Sequence, residues 1–215
     1  MGIVVNDSQN LFMLQTRSNS YAFGIDNQGL VRHLYWGSRI NAMEDFEMPE
    51  LAEVSTNDPV YEITKEEFPV YGGLRYKEHC LKVTFADGTR DVAYEYVNYE
   101  IQKNEQCEEL VIILKDKHYA LVMELHYKIY EAYDLMERFV VLKNESTEVM
   151  QIEKLHSGQF HVPYEGLNFR NVHGHWGAEQ QKFVQKVDYG KIIFENRRGT
   201  VSYTHLRAHE TELHL

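Results

Sequence analysis

The chain is short of the features that break, bridge or anchor a fold. It has only four prolines among 215 residues and 43% hydrophobic content, which excludes an intrinsically disordered protein. Its two cysteines, Cys80 and Cys107, lie in unrelated surroundings without a CxxC pair and read as buried or idle thiols. Positive charge is scarce as well. The formal net charge is −11 with no basic stripe, so a nucleic-acid partner is not expected, because phosphate binding wants a basic surface. Residues 1–6 carry neither a basic region nor a sustained apolar run. No signal peptide or membrane span is therefore read, and the cytoplasm is the default location. In that setting Asn144-Glu145-Ser146 reads as an ordinary turn rather than a glycan acceptor. There is no internal repeat. No Ser-His-Asp set, phosphate loop or nucleophile motif is found, and no cofactor is expected.

What the chain has is strand-forming residues: fifteen tyrosines and ten phenylalanines beside many valines and isoleucines. The organising stretch is residues 118–144. Leu121, Met123, Leu125, Tyr127 and Ile129 alternate with Val122, Glu124, His126, Lys128 and Tyr130, a period of two that marks a strand with one buried face. After Glu131-Ala132-Tyr133-Asp134 the alternation resumes as Met136, Arg138, Val140 and Leu142. The spacing predicts an antiparallel hairpin of 118–130 with 135–144, too long to stand without partner sheets. Arg138 interrupts its apolar face. A buried arginine needs a carboxylate or several carbonyls, so a core ion pair is expected and Arg138 is assigned a structural role.

Further strands are predicted at 3–6, 11–16, around Tyr21-Phe23-Ile25, and at 30–37, 81–86, 92–101, 110–114, 149–156, 168–172, 183–187 and 192–195. In the 30–37 strand, Leu30, Leu34 and Trp36 would share a face with Arg32, opposite Val31, His33 and Tyr35. A strand loaded on both faces sits between two layers. Asp87-Gly88 is read as a hairpin turn. About a dozen strands without a convincing helix predict an all-β antiparallel sandwich. Residues 43–72 differ, holding nine acidic residues against Lys65 and three of the four prolines. This predicts a wandering, solvated surface loop. His173-Gly174-His175, with His156 and His161, lacks metal-ligand spacing, and no metal site is assigned.

From Val201 the character changes. Val201-Ser202-Tyr203-Thr204-His205-Leu206-Arg207-Ala208-His209-Glu210-Thr211 resembles the in-frame translation of a transposon-end sequencing adapter. Residues 201–215 are accordingly expected to be a non-native tail and are set aside from fold reasoning. Residues 1–200 are expected to be an incomplete N-terminal sandwich domain, cut at about Thr200.

Several blocks resemble the bacterial α-galactosidases of glycoside hydrolase family 36, the melibiase or raffinose hydrolases. They are Leu30-Val31-Arg32-His33-Leu34-Tyr35-Trp36-Gly37, Glu67-Phe68-Pro69-Val70-Tyr71-Gly72, Phe85-Ala86-Asp87-Gly88-Thr89 and Asp134-Leu135-Met136-Glu137-Arg138 through Asn144. His173-Gly174-His175-Trp176-Gly177-Ala178-Glu179 and Glu195-Asn196-Arg197-Arg198-Gly199 complete the series. The resemblance implies a large galactose mutarotase-like β-supersandwich, followed by a (β/α)8 catalytic barrel and a small β-domain. It implies retaining hydrolysis of terminal α-galactosyl groups by two carboxyls of the barrel, so no catalytic residue falls in this chain. It also implies α-galactosides as ligands, the chain's own barrel as a partner and a homo-tetramer. Glu44 and Asp45, after Trp36, are the candidates to reach sugar hydroxyls in a neighbouring subunit, with Trp36 and Trp176 structural. The alternative is a stand-alone carbohydrate-binding or aldose-epimerase-like sandwich.

Overall fold

Antiparallel pairing accounts for nearly all regular structure in the computed structural model. It describes residues 2–43, 46, 48, 64–72, 77–162, 166–175, 177–188, 190 and 192. The first sheet is a meander of β1 (Gly2–Asn6), β2 (Leu11–Gln15), β3 (Asn19–Ile25) and β4 (Val31–Ser38), in that order. The second is also a meander, of β6 (Tyr94–Lys103), β7 (Glu108–Asp116), β8 (Leu121–Tyr130) and β9 (Leu135–Asn144). Between them in sequence lies β5 (Leu81–Thr84), which pairs with β10 (Gln151–Leu155). Residues 1–162 form one compact unit. In the second unit, β11 (Asn168–His175) and β12 (Ala178–Lys186) make a hairpin. Its turn uses Gly177 at φ +80, where a side chain would be strained. The chain is an all-β antiparallel sandwich.

Alternation places the core. Phe12, Leu14, Tyr21, Phe23 and Ile25 from the first sheet join one buried cluster with Leu110, Ile112, Leu114, Met123, Leu125 and Tyr127 from the second. Phe23 and Tyr127 stack across the layers with ring centroids 4.7 Å apart, a geometry that adds to area burial. The opposite face of the first sheet is also covered. Leu11, Met13 and Ala22 bury with Met43, and Leu34, Tyr35, Ile40, Phe46 and Met48 pack against them. The first sheet is thus dressed on both sides, as its two-faced β4 requires.

The central hairpin runs in register from Leu121↔Asn144 to Tyr130↔Leu135. A single 3-10 turn, Glu131–Tyr133, and Asp134 in the left-handed region (φ 55) reverse the chain. Met123, Leu125 and Tyr127 are fully buried, while Met136, Val140 and Leu142 are half-buried against the same core. The strand starts at Leu121 rather than 118. Asp116 explains this: its carboxylate accepts from the amides of His118 and Tyr119, holding a turn there. Asn144 likewise accepts from the Ser146 amide and hydroxyl, so 144–146 is a side-chain-capped turn.

Three expectations are corrected. A bulge between Ala22 and Phe23 leaves Leu34 unpaired in β4, so Trp36 faces the same side as His33 while Arg32 and Tyr35 share the other. Period counting cannot see an inserted residue. Asp87-Gly88 does form a tight turn, yet it is not a hairpin turn, because β5 pairs with β10 and not with β6. Finally, residues 43–72 are not uniformly a solvated loop. Glu66, Glu67, Phe68 and Val70 are wholly buried, with β-bridges Arg32↔Glu66 and Val70↔Leu81. The strand expected at 192–195 lies, beyond Ile192, outside the described residues.

Candidate functional site

The densest polar constellation among the described residues is built around Glu67. The chain enters it in extended form. The amide of Glu67 donates to Val31 O at 3.0 Å, and Lys65 O accepts from the amide of His33 at 2.7 Å. Extended backbone sends Glu66 and Glu67 to opposite sides. Glu66 meets Arg32 (3.3 Å) and Lys77 (3.1 Å), and Arg32 also bonds Asp26 at 2.6 Å. Glu67 points into the sandwich instead.

There its two oxygens accept from Tyr21 Oη at 2.7 Å, from Tyr127 Oη at 3.0 Å and from Arg138 Nη1 at 2.8 Å. His33 Nδ1 lies 2.8 Å away. Tyr21 comes from β3, His33 from β4, Tyr127 from β8 and Arg138 from β9. The site therefore ties both sheets to one carboxylate. Arg138 is 4% exposed and Glu67 fully buried, so the pair is worth keeping only with its full set of bonds. Most of those bonds are present, Arg138 Nε being the buried donor without a hydrogen-bond partner among the described residues. Arg138 Nη2 donates to Glu67 O at 2.6 Å and Nη1 to Gln159 O at 3.2 Å, and its guanidinium lies 5.1 Å from the Tyr127 ring.

Burial alone would raise the carboxyl pKa of Glu67, but Arg138, then His33 and Tyr21, outweigh it and hold it below the ordinary value. The same burial, with Glu67 beside them, pushes the phenols of Tyr21 and Tyr127 upward. Burial would lower Arg138, and the surrounding Tyr127 and Glu67 raise it instead. At neutral pH Glu67 is thus ionised, Arg138 charged, and Tyr21 and Tyr127 keep their protons. This is a structural charge cluster, not a poised acid and base.

Above it the bulge in β4 sets Trp36, 44% exposed, 6.3 Å from the Tyr21 ring and 5.7 Å from Phe160. Trp36 and Arg138 are therefore gathered at one end of the sandwich. Glu44, Asp45 and Trp176 lie outside the described residues. Among the described residues no group of three or more His, Cys, Asp or Glu is arranged to hold a metal ion. His161 bonds Glu66 O through Nε2 at 2.9 Å, while His173 lies edge-on to Phe183 in the second unit. Reading by sequence missed Glu67 as the centre. The available signal was the apolar run Phe68-Pro69-Val70 that follows it within an otherwise acidic stretch.

Comparison with known proteins places this architecture. The chain is 25% identical over 209 residues to the probable alpha-galactosidase G of Aspergillus terreus, covering 90% of the chain and 29% of that protein. It is 23% identical over 226 residues to the bifunctional alpha-galactosidase/sucrose kinase AgaSK of Mediterraneibacter gnavus, covering 94% and 24%. The GH36 alpha-galactosidase AgaB of Geobacillus stearothermophilus shares the fold, with a TM-score of 0.79 at 21% identity over 93% of this chain and 30% of that one. The chain thus spans about a quarter to a third of the length of these relatives. Residues 29–208 match the glycosyl hydrolase family 36 N-terminal domain. The chain belongs to that family of N-terminal domains.

Proposed function

We propose that this chain is the N-terminal domain of a retaining α-galactosidase that hydrolyses terminal α-D-galactosyl groups of galacto-oligosaccharides such as melibiose and raffinose. The match of residues 29–208 to the family's N-terminal domain carries the reading. Curated relatives along most of the chain, all α-galactosidases by name, support it. So does the content of relatives' structures, since AgaA variants were solved with raffinose and with stachyose.

The domain's own part is structural and oligomerising, within a tetramer of the full-length enzyme. Retaining hydrolysis needs two carboxyls about 5 Å apart across the glycosidic bond. Among the described residues, the deeply buried carboxylate facing the sandwich interior, Glu67, is locked by Arg138 and three further partners. It is the wrong kind of group to give up a proton or attack a sugar. Catalysis belongs to a barrel elsewhere in the full-length protein, and Asp45 or Glu44 supplies a hydroxyl contact to a neighbouring subunit's pocket. We also read residues 201–215 as adapter-derived, although the family match runs eight residues into them. Resequencing the source DNA decides that point.

The test is an assay on a chromogenic α-galactoside, using this chain alone and the completed enzyme with and without Asp45→Ala. The chain alone should show no turnover and the completed enzyme should turn over. Asp45→Ala should weaken substrate binding, by about 1–3 kcal/mol for a desolvated hydrogen bond. Turnover by the isolated chain would overturn the division of labour. An inactive completed enzyme would overturn the activity itself.

A further inference from the structure

Residues 157–162 have no regular secondary structure, yet they are strapped across the end of the first unit at defined points. The strap begins where the His156 amide donates to Cys80 O at 2.8 Å, just beyond the β5–β10 pairing. Gly158 then lies against the Arg138 guanidinium, so close that an added Cβ would sit 2.4 Å from Cζ. Gln159 O accepts from Arg138 Nη1 at 3.2 Å, and the Gln159 amide donates to Glu67 O at 3.3 Å. Phe160 packs on Trp36 with ring centroids 5.7 Å apart. His161 Nε2 meets Glu66 O at 2.9 Å, and its ring lies over His33 at 5.3 Å. All of these contacts beyond His156 end on β4, on Arg138 or on the buried dipeptide Glu66-Glu67.

We propose that this strap is a pH-sensitive latch, held while the His161 imidazole that faces His33 is uncharged and released in acid when His161 takes up a proton. The charges around the pair leave no room for more. From the dipeptide side, Glu67 faces His33, but Arg138 already balances it and Tyr21 and Tyr127 fill its remaining bonding directions. Glu66 turns its carboxylate away, to Arg32 and Lys77. At His161 itself, burial is the largest effect and disfavours a proton, as does Lys65, and together with His33 they outweigh Glu67 and the bond to Glu66 O, which favour one. A proton on His161 thus gives the cluster a net positive charge in a poorly solvated place, 5.3 Å from the facing His33 ring. Releasing the strap lets His161 charge in water. Burial and the neighbouring His33 and Lys65 accordingly set His161 below the ordinary imidazole value.

The sign follows. The held form binds fewer protons than the released form, so latching is complete above the ordinary histidine pKa of about 6.5 and weakens as pH falls below it. Each proton gained changes the opening equilibrium by up to about tenfold per pH unit in that window.

The test is native-state hydrogen exchange on this chain at pH 7.5 and 5.0, corrected for intrinsic rates, with a Trp176→Phe background for Trp36 emission. The Gln159 amide should lose about tenfold or more of its protection at pH 5.0, while Leu125 amide protection in β8 changes little. Trp36 emission should shift to the red over the same range as Phe160 leaves it. His161→Gln keeps a donor near the Nε2 position without a titrating group, and should hold both readouts constant. In the unsubstituted protein, the NMR titration of the His161 ring should share its midpoint with the loss of Gln159 protection. Protection of Gln159 independent of pH, or a His161 midpoint separate from that loss, would overturn the proposal even if His161→Gln failed to fold.

Discussion

Replacing Arg138 by methionine is the sharpest perturbation the structure offers. The substitution keeps an unbranched apolar stem in place and removes a 4%-exposed guanidinium from a fully buried carboxylate. What remains is Glu67 with Tyr21, Tyr127 and His33 as its partners and Gln159 O without its Arg138 donor. Breaking one side of a buried ion pair costs about 3–5 kcal/mol, because the other charge is left uncompensated. Against a total of roughly 5–15 kcal/mol for a domain, that is a fifth or more of the stability. With an m-value of about 2 kcal/mol per molar urea, the unfolding midpoint should fall by about 1.5–2.5 M.

The assay is urea unfolding followed by fluorescence, run as a double-mutant cycle with Glu67→Gln. Each single change should be severe, and the double should cost less than their sum by about 0.5–3 kcal/mol. Wild-type stability should also fall as pH drops below the ordinary carboxyl range toward the lowered value of Glu67, a component missing in Glu67→Gln. As a control, the half-exposed pair Lys115–Glu145 should be worth about 0–1 kcal/mol. A cost below about 1 kcal/mol for Arg138→Met, or strict additivity in the cycle, would refute the reasoning.

Three more outcomes are expected. Gly158→Ala would drive a methyl group into Arg138, and should cost about 1–3 kcal/mol as overpacking does, read in the same urea experiment with loss of Gln159 amide protection. Burial pushes the Cys80 thiol up to about 11, so iodoacetamide at pH 8 should alkylate the partly exposed Cys107 and spare Cys80 until urea unfolds the chain, as peptide mass spectrometry would show. Asp134 accepts from the amide and hydroxyl of Ser18, and those bonds, the hydroxyl first, hold its carboxyl down to about 2. Its contribution is present above the ordinary carboxyl value and disappears as pH falls toward 2, so Asp134→Asn should flatten the acid limb of a thermal-stability profile.

The sequence disclosed the hairpin of β8 and β9 because ten-residue alternation on both sides of a short polar turn admits few other foldings. It disclosed the burial of Arg138 for the same reason, since a charge on an apolar face must find a partner. Its partner was harder to find. Glu67 sits at the end of a proline-punctuated acidic stretch, and local composition there describes a solvated loop, whereas tertiary contacts bury it completely. The β4 bulge was hidden because one inserted residue leaves composition and propensity unchanged while swapping the faces of Trp36 and Tyr35. The pairing of β5 with β10 joins residues about seventy positions apart, and no local turn signal encodes that.

An ion pair of this burial is poor value as stabilisation alone, since well-packed apolar residues often do as well. Its geometry gives it another use. The bonds to Glu67 come from β3, β4, β8 and β9, and those of Arg138 reach the strap at Gln159. Consider a slip of β9 by one residue against β8. Every β9 side chain would change faces, and Glu137 or Phe139 would take the place of Arg138. Glu137 would bring a second carboxylate against Glu67, and Phe139 would bring no donor at all. Either arrangement leaves a charge buried without compensation, whereas a purely apolar face would accept the slipped strand at little cost. The flat alternation that makes this hairpin easy to recognise also makes its register easy to lose. Arg138 breaks that degeneracy by making one pairing of the two sheets far better than its neighbours.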